Sequence, residues 1–116
     1  DNMSAAIKFA DGSVATVLYT TMGHSGLAKE RVEVFAGGAA ALLDDYAALT
    51  FHGAKEKPWN GPQDKGHKAL LAELGKALAD GRDMPVGLQA SYNSHLLTFA
   101  ALEAARTAAT VFFDPE

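Results

Sequence analysis

The chain has 116 residues, of which 48% are apolar and 21% charged, with a net charge of −4. That length suits one domain with its own core. No basic cluster stands out beyond the scattered Lys55, Lys57, Lys65 and Lys68, which disfavours nucleic acid as a partner. Cysteine is absent, so disulfides, thiolate zinc sites and cysteine nucleophiles are excluded, and a cytoplasmic setting fits. No apolar run approaches the ~20 residues that span a bilayer, and no signal peptide is visible.

The first element is a strand–turn–strand over residues 3–21. Asp11-Gly12 lies between two runs of alternating character, a strong hairpin signal. With Asp11 and Gly12 as the central turn residues, Phe9 pairs with Val14, Ile7 with Thr16, Ala5 with Leu18 and Met3 with Thr20. Lys8 with Ala15, Ala6 with Val17 and Ser4 with Tyr19 line the second face. That second face is too apolar for a plain solvent face. Asp1-Asn2 leads straight into the strand, as expected for a piece of a longer polypeptide.

A polar loop follows at Gly23-His24-Ser25-Gly26-Leu27-Ala28-Lys29. A second hairpin is predicted over 31–36 and 39–44, turning at Gly37-Gly38. It sets Val32 opposite Leu43 and Val34 opposite Ala41 on an apolar face. Arg31 then lies opposite Asp44 as an exposed ion pair, and Glu33 opposite Leu42. A further strand spans 48–52. Gly53-Ala54 turns it towards a weak strand at 55–57, with Pro58 at a sheet edge or end.

Trp59-Asn60-Gly61-Pro62 reads as punctuation between a β half and an α half. A helix is predicted over 65–80, with Asp64 or Gln63 as N-cap and Gly81 at C′. His67, Leu70, Leu71, Leu74, Ala77 and Leu78 recur at helical spacing. A second helix is predicted over 89–107. Its apolar side is Tyr92, Leu96, Phe99, Ala100 and Leu102, and its alanines at 100, 101, 104 and 105 permit close approach. Val111-Phe112-Phe113 reads as a short added strand, and residues 114–116 as a fraying end.

The expected class is therefore α+β: a mostly antiparallel open sheet of about five to six strands, with two helices packed on one face. The other sheet face, near Val17, Tyr19, Phe35 and Leu42, is left uncovered. Uncovered apolar patches of that size mark interfaces.

Chemistry-bearing residues are sparse. His24, His52, His67 and His95 have no partners at metal-ligand spacing. His52, His67 and His95 read as structural or solvated. Asp44-Asp45 cannot converge as a dyad on a regular strand, because neighbours point to opposite faces. It reads as a strand-ending turn. Ser25 has neither triad partners nor a nucleophile elbow. His24 is the most interesting of the four, because loops on rigid scaffolds carry function disproportionately.

Several stretches together resemble the Gfo/Idh/MocA oxidoreductase family, which includes inositol dehydrogenase and glucose–fructose oxidoreductase. They are Phe9-Ala10-Asp11-Gly12-Ser13-Val14-Ala15-Thr16, Lys29-Glu30-Arg31-Val32-Glu33-Val34-Phe35 with Gly37-Gly38, Leu43-Asp44-Asp45, Gln63-Asp64-Lys65-Gly66-His67, and Phe99-Ala100-Ala101-Leu102-Glu103. Such proteins join an N-terminal Rossmann domain for NAD(P) to a C-terminal α/β domain. The open sheet of that second domain helps close the substrate site and commonly forms the subunit interface. The chain resembles only the latter part of the second domain, so residues 1–116 are expected to form a single domain that is a fragment of a larger enzyme.

The dinucleotide-binding glycine motif, the lysine loop and the segment with the catalytic histidine have no counterpart here. Glu56-Lys57-Pro58 spells the lysine motif, but it follows a Gly-Ala turn among edge-strand signals and is a coincidence. The resemblance implies no catalytic, cofactor-binding or metal residue in this chain. NAD or NADP belongs to the parent enzyme, and a sugar, cyclitol or similar polyol is its substrate. His24, Ser25 and Lys29 are the substrate-contact candidates. The implied partners are a second copy, through the open sheet face, and the missing Rossmann domain. The alternative is a stand-alone α+β module that dimerises through its sheet, or that binds a small ligand in an apolar pocket near Tyr19 and Trp59.

Overall fold

A computed structural model describes residues 2–112. The elements run β1 (Asn2–Lys8), β2 (Val14–Thr20), β3 (Arg31–Ala36), β4 (Ala39–Asp44), β5 (Ala48–His52), β6 (Trp59–Asn60), α1 (His67–Asp80) and α2 (Leu88–Thr107). The class is α+β with open antiparallel sheets, as the order of elements implies. The strands are shared between two sheets, β1–β2 and β3–β4–β5–β6. Ten residues of turn and bend, 21–30, separate β2 from β3, and the two strands do not pair. The chain divides into two compact units, one of Asp1–Gly23 with Glu73–Glu116 and one of His24–Ala72.

In the first unit, the β1–β2 register differs by one residue from the expected one. Met3 faces Tyr19, Ala5 faces Val17 and Ile7 faces Ala15. The turn is longer than two residues: Phe9 N–H donates to the Ser13 carbonyl at 2.9 Å, and Gly12 N–H to the Phe9 carbonyl at 3.0 Å. Gly12 has φ +88°. This is the three-residue loop in which a turn ends on a left-handed residue and bulges the strand. Asp11 holds it, its Oδ1 accepting from Ser13 N–H at 2.8 Å and Ser13 Oγ at 2.6 Å. A one-residue slip turns every β2 side chain to the other face. Val17 and Tyr19 therefore share the face of Met3, Ala5 and Ile7, the half-buried side of β1.

The second unit follows the expected register. Val32 faces Leu43, Val34 faces Ala41 and Arg31 faces Asp44, across a Gly37-Gly38 turn with φ +57° and +80°. That left-handed pair matches the twist of the flanking strands. Arg31 does not bridge to Asp44. Its Nε and Nη2 both reach Glu33 Oε1 at 2.8 Å, two residues along the same strand face. The fourth strand is Trp59–Asn60, paired with Leu49 and Ala48. Residues 55–58 form no strand; without a pairing segment there, the chain runs past Pro58 before it rejoins β5. Gly53 has φ +70°, and a Cβ there would lie 2.7 Å from the Gly38 carbonyl oxygen. Only glycine lets this turn pass the first one so closely.

Helix α1 begins at His67, two residues later than expected, because Gly66 adopts φ +75°. Gly66 N–H donates to Asp64 Oδ1 at 2.8 Å, and the Gly66 carbonyl accepts from Leu70 at 2.8 Å. Gly66 is thus the cap, and Asp64 shapes the turn before it. The helix ends with Arg82 N–H on the Ala77 carbonyl at 2.9 Å and Gly81 at φ +61°, a Schellman stop.

Helix α2 is half-covered at Leu96 and Ala100 of the expected side and at positions outside it: its half-covered residues are Ser91, Asn93, Leu96, Leu97, Ala100, Ala101 and Ala104. The last four help line, with Ser4–Lys8 of β1, a groove of ≈ 550 Å³. Tyr92, Phe99 and Leu102 are exposed. Val111 and Phe112 form no strand; Phe113 and residues 114–116 lie outside the described residues. The core is thin: Ala77, 1% exposed, is the one buried hydrophobic residue among those described.

Candidate functional site

Three stretches far apart in sequence converge in the second unit. Glu30 lies immediately before β3, Asp45 and Tyr46 form the β4–β5 turn, and Asp64-Lys65 leads into α1. The backbone brings them together. Asp45 N–H donates to the Glu30 carbonyl at 2.7 Å, Asp64 N–H to the Tyr46 carbonyl at 3.0 Å, and Gly61 N–H to the Ala47 carbonyl at 2.9 Å.

The turn is strained. Asp45 and Tyr46 have φ +47° and +54°, a left-handed conformation that costs ordinary residues roughly 1–2 kcal/mol each. Aspartate tolerates it; an aromatic residue does so only when its surroundings fix it. Those surroundings are an ion pair and a ring contact. Lys65 Nζ lies 2.5 Å from Glu30 Oε1, with both side chains about one-third exposed (34% and 38%). The same ammonium lies 5.8 Å from the centroid of the Tyr46 ring, within cation–π reach.

The electrostatics favour a charged lysine. The hydrogen bond to Glu30 holds the Lys65 pKa above the ordinary lysine value. Partial desolvation works against it, and the charges of Glu30 and Asp45 and the Tyr46 phenol add to the rise. A general base or Schiff-base lysine needs the opposite shift. Lys65 is thus a clamp between strand, turn and helix, not a nucleophile. Glu30 Oε2 and Asp45 Oδ1 are buried with no hydrogen-bond partner among the described residues, so the cluster holds more carboxylate than Lys65 neutralises. No group of three or more His, Cys, Asp or Glu residues among those described is placed to hold a metal.

The loop candidates lie apart from this clamp's bonds. His24, Ser25 and Lys29 are all exposed. His24 Nδ1 accepts from Gly26 N–H at 3.0 Å, and its carbonyl accepts from Leu27 N–H at 2.9 Å. The ring is thereby folded onto its own turn, leaving Nε2 as the nitrogen that points outward. Among the described residues, no hydrogen bond or ion pair joins the Ser25 or Lys29 side chains to another group. The loop offers a hydroxyl, an imidazole edge and an ammonium, with no rigid geometry among them.

The remaining histidines are accounted for locally. His52 lines an open hollow of ≈ 490 Å³ with Phe35, Gly38 and Gly53. His67 opens α1 and is exposed. His95 is exposed too, its Nδ1 2.8 Å from the Ser91 carbonyl. Glu56, Lys57 and Pro58 lie in irregular, exposed chain. Neither Tyr19 nor Trp59 lines the groove or the hollow. No helix among the described residues is long and apolar enough to cross a membrane.

The sequence reading missed the clamp. Asp44-Asp45 reads correctly as a turn, but the partner of that turn lies across the fold in Lys65. The one local signal was the loop length between β4 and β5, which demands left-handed residues where no glycine is present. No family model matches the chain, and no curated protein and no solved structure matches it.

Proposed function

We propose that this chain is the sheet-bearing assembly and substrate-side domain of a cytoplasmic NAD(P)-dependent oxidoreductase acting on a sugar, cyclitol or similar polyol. It works with a separate Rossmann domain that supplies the nicotinamide and the general base. By itself it is inactive.

The observation that carries this reading is the uncovered four-stranded sheet. Val32, Leu43, Leu49 and Trp59 form one continuous apolar row across all four strands, and Val34, Ala41 and Phe51 form the next. Val32, Val34 and Trp59 on the outer strands are exposed, Ala41, Leu43, Leu49 and Phe51 between them are half-covered, and no described residue of His24–Ala72 is buried. An antiparallel sheet can leave one face to water when that face is polar. An apolar face of this extent calls for a partner surface. A second copy meets that need, on the face opposite Phe35 and Leu42, where the uncovered face was expected. The convergence of Glu30, Asp45 and Lys65 adds support, because it gives the resembling stretches one shared structural role. Together they fix the end of the sheet next to the His24–Lys29 loop.

The reading is tested on the coding sequence that precedes the Asp1 codon. A strand followed by Gly-x-Gly-x-x-Gly, about 200 residues upstream, is expected. A natural start codon beside Asp1 would decide for a stand-alone interaction module instead.

A further inference from the structure

The four-stranded sheet ends differently at its two edges. At one edge β6 is two residues long, Trp59–Asn60, and Pro58 precedes it. A very short strand beside a proline offers little backbone to another chain. At the other edge β3 runs over six residues, Arg31–Ala36, all of them exposed. It contains no proline or glycine, its register carries no bulge, and it is hydrogen-bonded to β4 alone.

The direction of its free backbone groups follows from the hairpin. Ala36 and Ala39 close a two-residue turn, so they exchange hydrogen bonds. The alternation of an antiparallel pair then makes Val34–Ala41 and Val32–Leu43 hydrogen-bonded as well. The bond from Asp45 N–H to the Glu30 carbonyl at 2.7 Å continues the same phase. The N–H and C=O groups of Arg31, Glu33 and Phe35 therefore point away from β4. The side chains of these three stand on the face opposite Val32 and Val34.

We infer that this edge pairs antiparallel with β3 of a second copy, with the two-fold axis at Val32. A two-fold contact sets the strand against itself, and the charges select one register among those that let the outward groups bond. With the axis at Val32, Arg31 lies opposite the second copy's Glu33, and Glu33 opposite its Arg31. The Arg31–Glu33 bridge at 2.8 Å becomes half of a square of four charges in which every neighbour has the opposite sign. Such cross-strand pairs are favourable. Phe35, 72% exposed, falls opposite the exposed Lys29, an ammonium suited to an aromatic face. An axis at Glu33 would set Glu33 on Glu33. An axis at Val34 would leave Arg31 facing Gly37 and Glu33 facing Phe35, with neither charge matched. The selected register also extends the apolar row of Trp59, Leu49, Leu43 and Val32 through the second copy's Val32, so that one row crosses eight strands.

The edge contact does not depend on the oxidoreductase reading. Arg31 and Glu33 lie off the Val32–Val34 face, so their variants report on the edge and not on that face. Sedimentation equilibrium compares the parent chain with Arg31→Glu, Glu33→Arg and the double variant, each checked for its fold by circular dichroism. Each single change is expected to weaken association at least about tenfold, because like charges then face each other. The double change restores opposite signs throughout the square and is expected to return association to within about threefold of the parent. Single variants that associate like the parent, a double variant as weak as the single ones, or a parent that stays monomeric would each overturn the inference. The chain has no cysteine, so introduced thiols test the axis. Val32→Cys is expected to link to itself under mild oxidation, across a Cα separation of about 4.5 Å that a disulfide spans, and Val34→Cys is not. Failure of Val32→Cys to link, or equal linkage of Val34→Cys, would overturn the register.

Discussion

Lys65 and Glu30, 35 residues apart in sequence, meet at 2.5 Å and tie the entry of α1 to the start of β3. Between them in the fold lies the left-handed Asp45-Tyr46 turn. The clamp therefore does two things: it fixes the end of the four-stranded sheet, and it holds a turn that the local sequence disfavours.

Removing the ammonium tests this directly. Lys65→Met should lower the melting temperature by a few degrees and make the Asp45-Tyr46 turn the first segment to exchange its amide protons. The difference from the parent chain depends on pH in a defined sense. The folded pKa of Lys65 is raised by Glu30, so the stabilisation is complete below the unfolded lysine value. It is lost as pH rises through the folded value. Melting curves of the two chains should converge at strongly alkaline pH and stay apart at neutral pH.

The acid side follows the opposite sign. The Arg106 guanidinium holds the Glu103 carboxyl below the usual glutamate range, and the Ser13 hydroxyl and then its N–H hold Asp11 below the usual aspartate range. Depressed carboxyls stabilise the fold above their unfolded values and cease to do so as pH falls through their folded values. Asp11→Asn and Glu103→Gln should each be slightly less stable than the parent at neutral pH, and the difference should vanish as pH falls through the folded carboxyl values. Both groups are surface-exposed, so the effect is small and weakens in high salt.

Gly53→Ala should cost about 1–3 kcal/mol in denaturant unfolding. The added methyl would sit 2.7 Å from the Gly38 carbonyl oxygen at a φ of +70°. Gly75→Ala is the control: nothing lies within 4 Å of a Cβ there, and α1 should gain about 0.5–1 kcal/mol. Equal effects at the two positions would contradict the close approach of the two turns.

Much of this architecture was legible in the sequence, and the misses have physical causes. The β3–β4 hairpin reads correctly residue by residue because Gly37-Gly38 permits one tight turn and so one register. The β1–β2 hairpin does not, because Asp11-Gly12 suits both a two-residue turn and a bulged three-residue turn. The Asp11–Ser13 hydrogen bonds select the second. Periodicity identified α2 but only part of its half-covered side, Leu96 and Ala100, since the helix carries apolar residues on more than one side. Trp59–Asn60 was hidden as a strand because two residues are too few for alternation to show. The Lys65–Glu30 clamp was out of reach of local patterns, because sequence spacing says nothing about which loops the fold brings together. The loop candidates His24, Ser25 and Lys29 were legible as exposed loop residues, and their chemistry awaits a substrate. In the β1–β2 hairpin, cross-strand proton contacts should link Met3 with Tyr19 and Ala5 with Val17 as directly opposed pairs; Ala5 directly opposed to Leu18 would restore the shorter turn.

The most direct measurement is sedimentation equilibrium of the purified chain beside its Val34→Glu variant, over a wide concentration range. Val34 stands on the exposed apolar row of β3, where a carboxylate would be driven against a second apolar sheet. If the sheet is an assembly face, the parent chain associates as concentration rises, and the variant's dissociation constant is at least about tenfold larger, a change of ~1.4 kcal/mol or more. A parent chain that stays monomeric throughout, or a variant that associates as strongly as the parent, would contradict the account.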